Sequence, residues 1–196
     1  MRLGITGHRP NRLHIGEARV ASRLREAMVG LGDAVRSQNP AAPLIACSPL
    51  AEGSDRLFAE LALEIGYELH ALLPFASADY ESTFSDKSRV GEYRALLRRA
   101  ARVTELEGSL ADTKSAYEAV GRAMVDHSDL LIAVWDGRPA AARGGTPEII
   151  AYALARERPV IWIDAARDGT PQRLRSVSPQ ITACELRVRE IVDAIG

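Results

Sequence analysis

Residues 128–150 read SDLLIAVWDGRPAAARGGTPEII, and the first part of this stretch decides the fold. Leu130 to Trp135 is an unbroken apolar run, too short for a typical helix and preceded by polar Ser128 and Asp129. Such a run suits a strand buried on both faces, as an inner strand of a parallel sheet is. Asp136-Gly137 ends it. After a loop of Arg, Pro and Ala the chain reaches Gly144-Gly145-Thr146-Pro147-Glu148 and an apolar helical pattern. Pro147 suits the first turn of a helix, where a backbone N–H would have no intrahelical acceptor. That makes Thr146 the expected N-cap. The glycine pair lets backbone approach a ligand with no Cβ in the way. Free N–H groups and the positive end of the helix dipole then favour an anion, most often phosphate.

Working outward, the same alternation recurs. Residues 2–6 form a first strand, broken by Gly7-His8-Arg9-Pro10, where Pro10 biases Arg9 away from helix. Residues 16–31 carry Ala18, Leu24, Ala27, Met28 and Leu31 at helical spacing, with Gly32 as the expected C-cap. A strand at 44–47 leads through a small-residue loop to a helix holding Leu57, Phe58, Leu61, Ala62 and Ile65, with Ser54 or Asp55 as N-cap. A third strand, 68–73, stops at Pro74. Residues 75–90 read as a long excursion over the sheet edge or the cleft. A basic helix near 89–101, a short strand at 102–106 and a helix at 113–127 follow, the last with Tyr117, Val120, Met124 and Val125 inward. Beyond the glycine pair come a helix to Arg156, a buried strand at 159–163, an irregular polar region at 165–178 and a closing helix at 186–195.

Alternating strands and helices predict an α/β, Rossmann-like fold whose mostly parallel sheet carries helices on both faces. In such sheets ligands bind outside the carboxyl ends of the strands, where strand order reverses. Three loops stand at those ends, residues 6–10, 48–55 and 136–148, and they should converge on one cleft.

Composition narrows the classes. The chain has 196 residues, 46% of them hydrophobic, with no repeat, low-complexity tract or linker, so a single domain over residues 1–196 is expected. Basic and acidic residues balance, 25 against 26, and no Lys/Arg block suggests a nucleic-acid stripe. Cys47 and Cys184 are isolated and no His/Cys/carboxylate cluster stands out, so neither a disulfide framework nor a metal site is supported. No apolar run approaches the ~18 residues of a membrane span. The N-terminus also lacks a signal peptide's apolar stretch, so the expected location is cytoplasmic.

Each candidate site residue has a plain structural reading beside its functional one. Gly144, Gly145 and Thr146 are expected to hold an anion; the alternative is a flexible loop before a capped helix. Arg9 has the fork to grip phosphate, and His8 the ring to stack or donate, unless Gly7-His8-Arg9 is simply a solvated turn. Gly53, Ser54 and Asp55 offer a second helix N-terminus, or a cap alone. Asp136 and Gly137 sit where a ribose- or phosphate-facing residue fits, although an Asp-Gly turn also explains them. Glu148 is the one candidate catalytic acid. A carboxylate is repelled by phosphate, so a functional Glu148 must face ribose hydroxyls or the glycosidic bond, stabilising positive charge on the sugar. Its structural alternative is a favourable place in the helix dipole. Tyr117 and Trp135 are candidates to stack on a base or to pack the core. His70 and His127 read as core or helix-end histidines, and Arg94, Arg98, Arg99 and Arg102 as a solvated face.

With these loops in view, the sequence resembles the SLOG superfamily, Rossmann-like proteins that include the DNA-processing protein DprA, the "lonely guy" phosphoribohydrolases and YpsA-like proteins. The matching pieces are GITGHRP at 4–10, LAEGSDRLFAE at 50–60, GRAMVDHSDLLIAVWDG at 121–137 and RGGTPEIIAYA at 143–153. GHRP and MVDHSDLLIAVWDG are most similar to the YpsA-like branch. The resemblance implies a nucleotide or nucleotide-derived ligand, a sensor or carrier role and a homo-oligomer. Lonely-guy enzymes carry PGGxGTxxE, so Gly144, Gly145 and Thr146 match its phosphate contacts and Glu148 approximates its acid. Here the preceding proline and one intervening residue are missing, and Val120 stands where those enzymes have an arginine. A phosphoribohydrolase (N-glycosidase) is therefore the alternative function. A DprA-like single-stranded nucleic-acid binder is the weaker one, because the charge balance offers no electrostatic footprint.

Overall fold

The apolar runs of the sequence become the strands of one sheet. The structure, a computed structural model, describes residues 1–139, 144–177 and 181–195. In chain order it comprises β1 (Arg2–Gly7), α1 (Glu17–Gln38), β2 (Ile45–Ser48), α2 (Ser54–Glu64), β3 (Glu68–Leu73), α3 (Ser77–Ser82), α4 (Val90–Arg99) and β4 (Arg102–Glu105). Then follow α5 (Thr113–Asp126), β5 (Leu130–Trp135), α6 (Thr146–Ala155), β6 (Val160–Asp164), β7 (Gln172–Ser176), β8 (Thr182–Glu185) and α7 (Val188–Ile195).

The strands lie in the order β4-β3-β2-β1-β5-β6-β7-β8. The first six are parallel, while β7 and β8 add an antiparallel flank. The architecture is α/β, mostly parallel and Rossmann-like, as the alternation predicts. The chain steps from β1 toward β4 on one side, then returns to β5 on the other, so strand order reverses between β1 and β5. Leu130–Trp135 is buried along its whole length, with β1 on one side and β6 on the other. That is why it had to be apolar on both faces.

Helices cover both faces. Leu3, Ile5 and Ile132 pack with Val20, Leu24, Met28 and Leu31 of α1, Phe58 and Leu61 of α2, and Ile191 and Val192 of α7. On the opposite face, Leu131, Ala133 and Trp135 pack against Val125 at the end of α5 and against Ile149, Ile150 and Ala153 of α6. Trp135 is therefore a core residue, its Nε1 donating to the Arg138 carbonyl at 2.8 Å.

Several expectations need correction. Helix α1 runs on to Gln38, because Leu31 and Val35 continue its buried stripe. Gly32 lies inside it rather than capping it. A Cβ there would stand 3.2 Å from Leu44 Cδ1 and the Tyr67 hydroxyl, so the glycine lets the helix pack closely on the segments that lead into β2 and β3. The N-caps fall one residue early: Gly53 caps α2 and Gly145 caps α6, so Ser54 and Thr146 are first helical residues. Within 75–90 a short helix, α3, forms and buries Tyr80. The region 165–178 contains β7, and β8 precedes the closing helix. Neither strand has the apolar content that marks the inner strands: β8 is exposed throughout.

Candidate functional site

The loop after β1 is where the site begins. His8 leaves the sheet with its N–H bonded to the Val134 carbonyl at 3.1 Å, and Pro10–Arg12 then form one 3-10 turn. That turn swings Arg12 back over the strand ends, where its guanidinium forks onto Asp136 at the end of β5. Arg12 Nη2 lies 2.8 Å from Oδ1 and 2.7 Å from Oδ2, and Nε lies 3.1 Å from Oδ2. His8 Nε2 stands 2.9 Å from Asp136 Oδ1 and 3.2 Å from the Asp136 N–H. It donates to the first in one tautomer or accepts from the second in the other. Burial lowers the His8 pKa, outweighing its bond to Asp136, so the ring is neutral at pH 7. Burial would raise Asp136, but the bonds from His8, Arg12 and the Arg138 N–H prevail and hold it at about 2. The Asp136 side chain is fully buried.

The second loop docks on the first. Gly53 has φ +95°, and a Cβ there would lie 2.6 Å from the His8 carbonyl oxygen and 3.0 Å from Arg9 Cα. Only glycine lets α2 begin so close to the β1 loop. Ser54 then donates to the His8 carbonyl through both its N–H (3.2 Å) and its hydroxyl (2.9 Å). Gly7 belongs to the same contact, since a Cβ there would stand 2.6 Å from Ser54 Cβ. Glu52, buried, receives Arg9 Nη1 at 3.1 Å, the Ser85 N–H and hydroxyl at 3.1 and 2.8 Å, and the Asp86 N–H at 2.9 Å. Burial pushes its pKa up, but these donors outweigh it and leave the carboxyl below its ordinary value. Glu52 thus ties Arg9 to the segment after α3.

Asp55, in the first turn of α2, is different. It is 6% exposed, and Oδ1 has no hydrogen-bond partner among the described residues. Burial raises its pKa to about 7, against the lowering effects of the Ala51 N–H, Arg9 and Arg56. A carboxyl of this kind changes charge within the physiological range.

The third loop brings the glycine pair. Gly144 has φ +74°, and a Cβ there would lie 2.7 Å from the Glu118 backbone nitrogen of α5. Its N–H donates to Glu148 Oε2 at 2.7 Å. Glu148 lies at the surface and closes back on its own loop. Pro147 contributes no N–H, and the N–H groups of Gly145 and Thr146 have no protein acceptor among the described residues. Residues 140–143, which include Arg143 of the RGGTPE segment and part of the loop 136–148, lie outside the described residues.

These loops enclose a cavity of about 400 Å³ above the junction of β1 and β5. Pockets of small organic ligands span about 300–1,000 Å³. Of the candidates drawn from sequence, Gly7, His8, Arg9, Asp55, Gly144, Gly145 and Thr146 line it, and so does Tyr117. Gly53, Ser54, Asp136, Gly137 and Glu148 are not among the lining residues. The first three hold the walls: Gly53 and Ser54 join two loops, and Asp136 anchors Arg12 and His8. Gly137 takes φ +77° in the turn after β5.

Sequence reasoning missed Arg12, Asn11 and Tyr80, all of which line the cavity. Arg12 follows Pro10 by two residues, and a proline opening a 3-10 turn was the available signal. Tyr80 came from a segment without clear periodicity. Its ring meets Phe84 and Tyr93 edge-on at centroid distances of 4.9 and 5.9 Å. Tyr117 donates to Thr83 Oγ1 at 3.3 Å. His70 pairs with Glu68 at 2.7 Å on β3, and His127 ends α5 with Nδ1 2.7 Å from the Ala123 carbonyl, both away from this cavity.

Two kinds of group line the cavity. Arg9, Arg12, the α6 N-terminus and Thr146 offer donors and positive charge. Asp55, Tyr80 and Tyr117 offer a carboxyl and phenols set among Pro49, Ala51 and Val120. Among the described residues no group of three or more His, Cys, Asp or Glu is placed to hold a metal ion, and no helix is long and apolar enough to cross a membrane. No model of a known protein family matches this chain, and no curated protein matches it.

Proposed function

We propose that this protein binds a nucleotide or nucleotide-derived small molecule in the cavity at the β1–β5 junction, as a sensor or carrier. The observation that carries the reading is the pairing of the α6 N-terminus with Arg9 and Arg12 around one 400 Å³ cavity at the strand reversal. A phosphate on the Gly145 and Thr146 N–H groups would complete donors that have no acceptor among the described residues. The apolar and phenolic lining suits the remainder of such a ligand. With this reading we place the chain in the SLOG superfamily, nearest the YpsA-like branch, and expect the cytoplasmic homo-oligomer that the resemblance implies.

The test is native mass spectrometry of the purified protein, followed by calorimetric titration with nucleoside 5′-monophosphates. A bound or titratable nucleotide supports the reading, and no affinity for any of them defeats it. Gly145 has φ −74° and ψ 160°, which a β-branched residue adopts freely. Gly145→Val should therefore abolish binding while preserving the fold, and unchanged affinity would refute the phosphate position. The second reading is hydrolysis of the nucleotide's N-glycosidic bond. What favours it is an acid titrating near neutrality in the cavity wall, although that acid is Asp55 and not Glu148. Free base released from the same nucleotides, and lost in Asp55→Asn, would decide for the enzyme.

A further inference from the structure

Buried carboxylates are normally fully hydrogen-bonded, because a carboxyl oxygen taken out of water without a donor is costly. Asp55 departs from that rule. It is more than nine-tenths buried and lines the cavity, and Oδ1 has no donor among the described residues. The Ala51 N–H accounts for one hydrogen bond to the carboxyl, and Ser54 on the His8 carbonyl already secures the α2 N-terminus, so Oδ1 is left over. The unmet oxygen points to a donor that arrives with a ligand.

Its position says which donor. Asp55 shares the cavity wall with Arg9 and Tyr80, and Arg9 is near enough for its charge to act on the carboxyl. It therefore stands beside the cationic groups of the cavity. In a nucleotide bound with its phosphate against those cationic groups, the group next to the phosphate is the sugar. A sugar hydroxyl there donates without adding charge to the site.

Resting on the nucleotide reading above, we propose that Asp55 accepts a hydrogen bond from a ribose hydroxyl and makes the cavity selective for ribosyl over deoxyribosyl 5′-phosphates. A site built to bond a hydroxyl rejects the analogue lacking it, because the buried acceptor is then left unmet.

The experiment titrates wild type, Asp55→Asn and Asp55→Ala with AMP, GMP, CMP and UMP and with their 2′-deoxy and 3′-deoxy counterparts. At pH 8, where the Asp55 carboxyl is ionised, a hydrogen bond to this charged acceptor corresponds to a preference of roughly 10- to 100-fold for the ribonucleotide over one deoxy series. In Asp55→Ala that preference should collapse to near unity while affinity for the deoxy analogue changes little. Asp55→Asn keeps the shape and an acceptor oxygen but removes the charge, and should reduce the preference without abolishing it. If wild type binds ribo- and deoxyribonucleotides equally, or if both variants retain the full preference, the sugar assignment is overturned while nucleotide binding stands. If no nucleotide binds wild type, both readings fall.

Discussion

An acid kept neutral by burial weakens the fold at any pH that would ionise it, and Asp55 makes this measurable. Its pKa of about 7 in the fold compares with an ordinary 3.8. Between these values the native state holds a proton that the unfolded chain has released, so stability falls as pH rises. A tenfold difference in acidity between the folded and unfolded chain is equivalent to about 1.4 kcal/mol, so the full penalty is ~4 kcal/mol, reached above pH 7 and absent below pH 4. Asp55→Asn cannot ionise, and its amide oxygen remains able to accept the Ala51 N–H. The variant should therefore be more stable than wild type at pH 8 by a margin larger than at pH 5, the difference growing by roughly 2–3 kcal/mol. Urea denaturation at pH 5, 6, 7 and 8 gives both curves. Parallel pH profiles would refute the argument, because they would mean that Asp55 ionises in the fold as easily as in water. A gain in stability with a loss of nucleotide discrimination is the pattern expected of a residue retained for binding.

Two further perturbations probe the walls. Asp136 is displaced the other way, to about 2 from 3.8, and so adds stability that is complete above pH 5 and lost as pH falls toward 2. Asp136→Asn should cost ~2 kcal/mol at pH 7 and about half that at pH 3 by urea denaturation, and a cost that does not shrink with acid would exclude the ion pair as its cause. Gly53→Ala forces a Cβ into the His8 carbonyl at an unfavourable φ and should lose at least ~2 kcal/mol. Gly91→Ala, in open space on α4, should be neutral or stabilising by up to about 1 kcal/mol; similar melting temperatures for the two variants would contradict the close-approach account.

Much of this protein was legible from local chemistry. The six apolar residues of β5, too short a run for a typical helix, read as a strand buried on both faces, and the alternation of strands and helices along the chain implied a mostly parallel sheet with loops meeting at one edge. Gly144, Gly145 and Thr146 were readable because a proline in the first turn and glycines before it leave few backbone alternatives. Tertiary structure decided the rest, since burial and pairing are properties of distant contacts. Glu148 and Asp55 are both acids in the first turn of a helix, yet one bonds its own loop at the surface and the other is sealed in the cavity wall. Asp136 looked ligand-facing in its Asp-Gly turn, until folding brought Arg12 to it across 124 residues of chain. Charge type and local geometry are written in the sequence, but whether a charge meets water, a partner or a cavity wall is settled only when remote segments pack together.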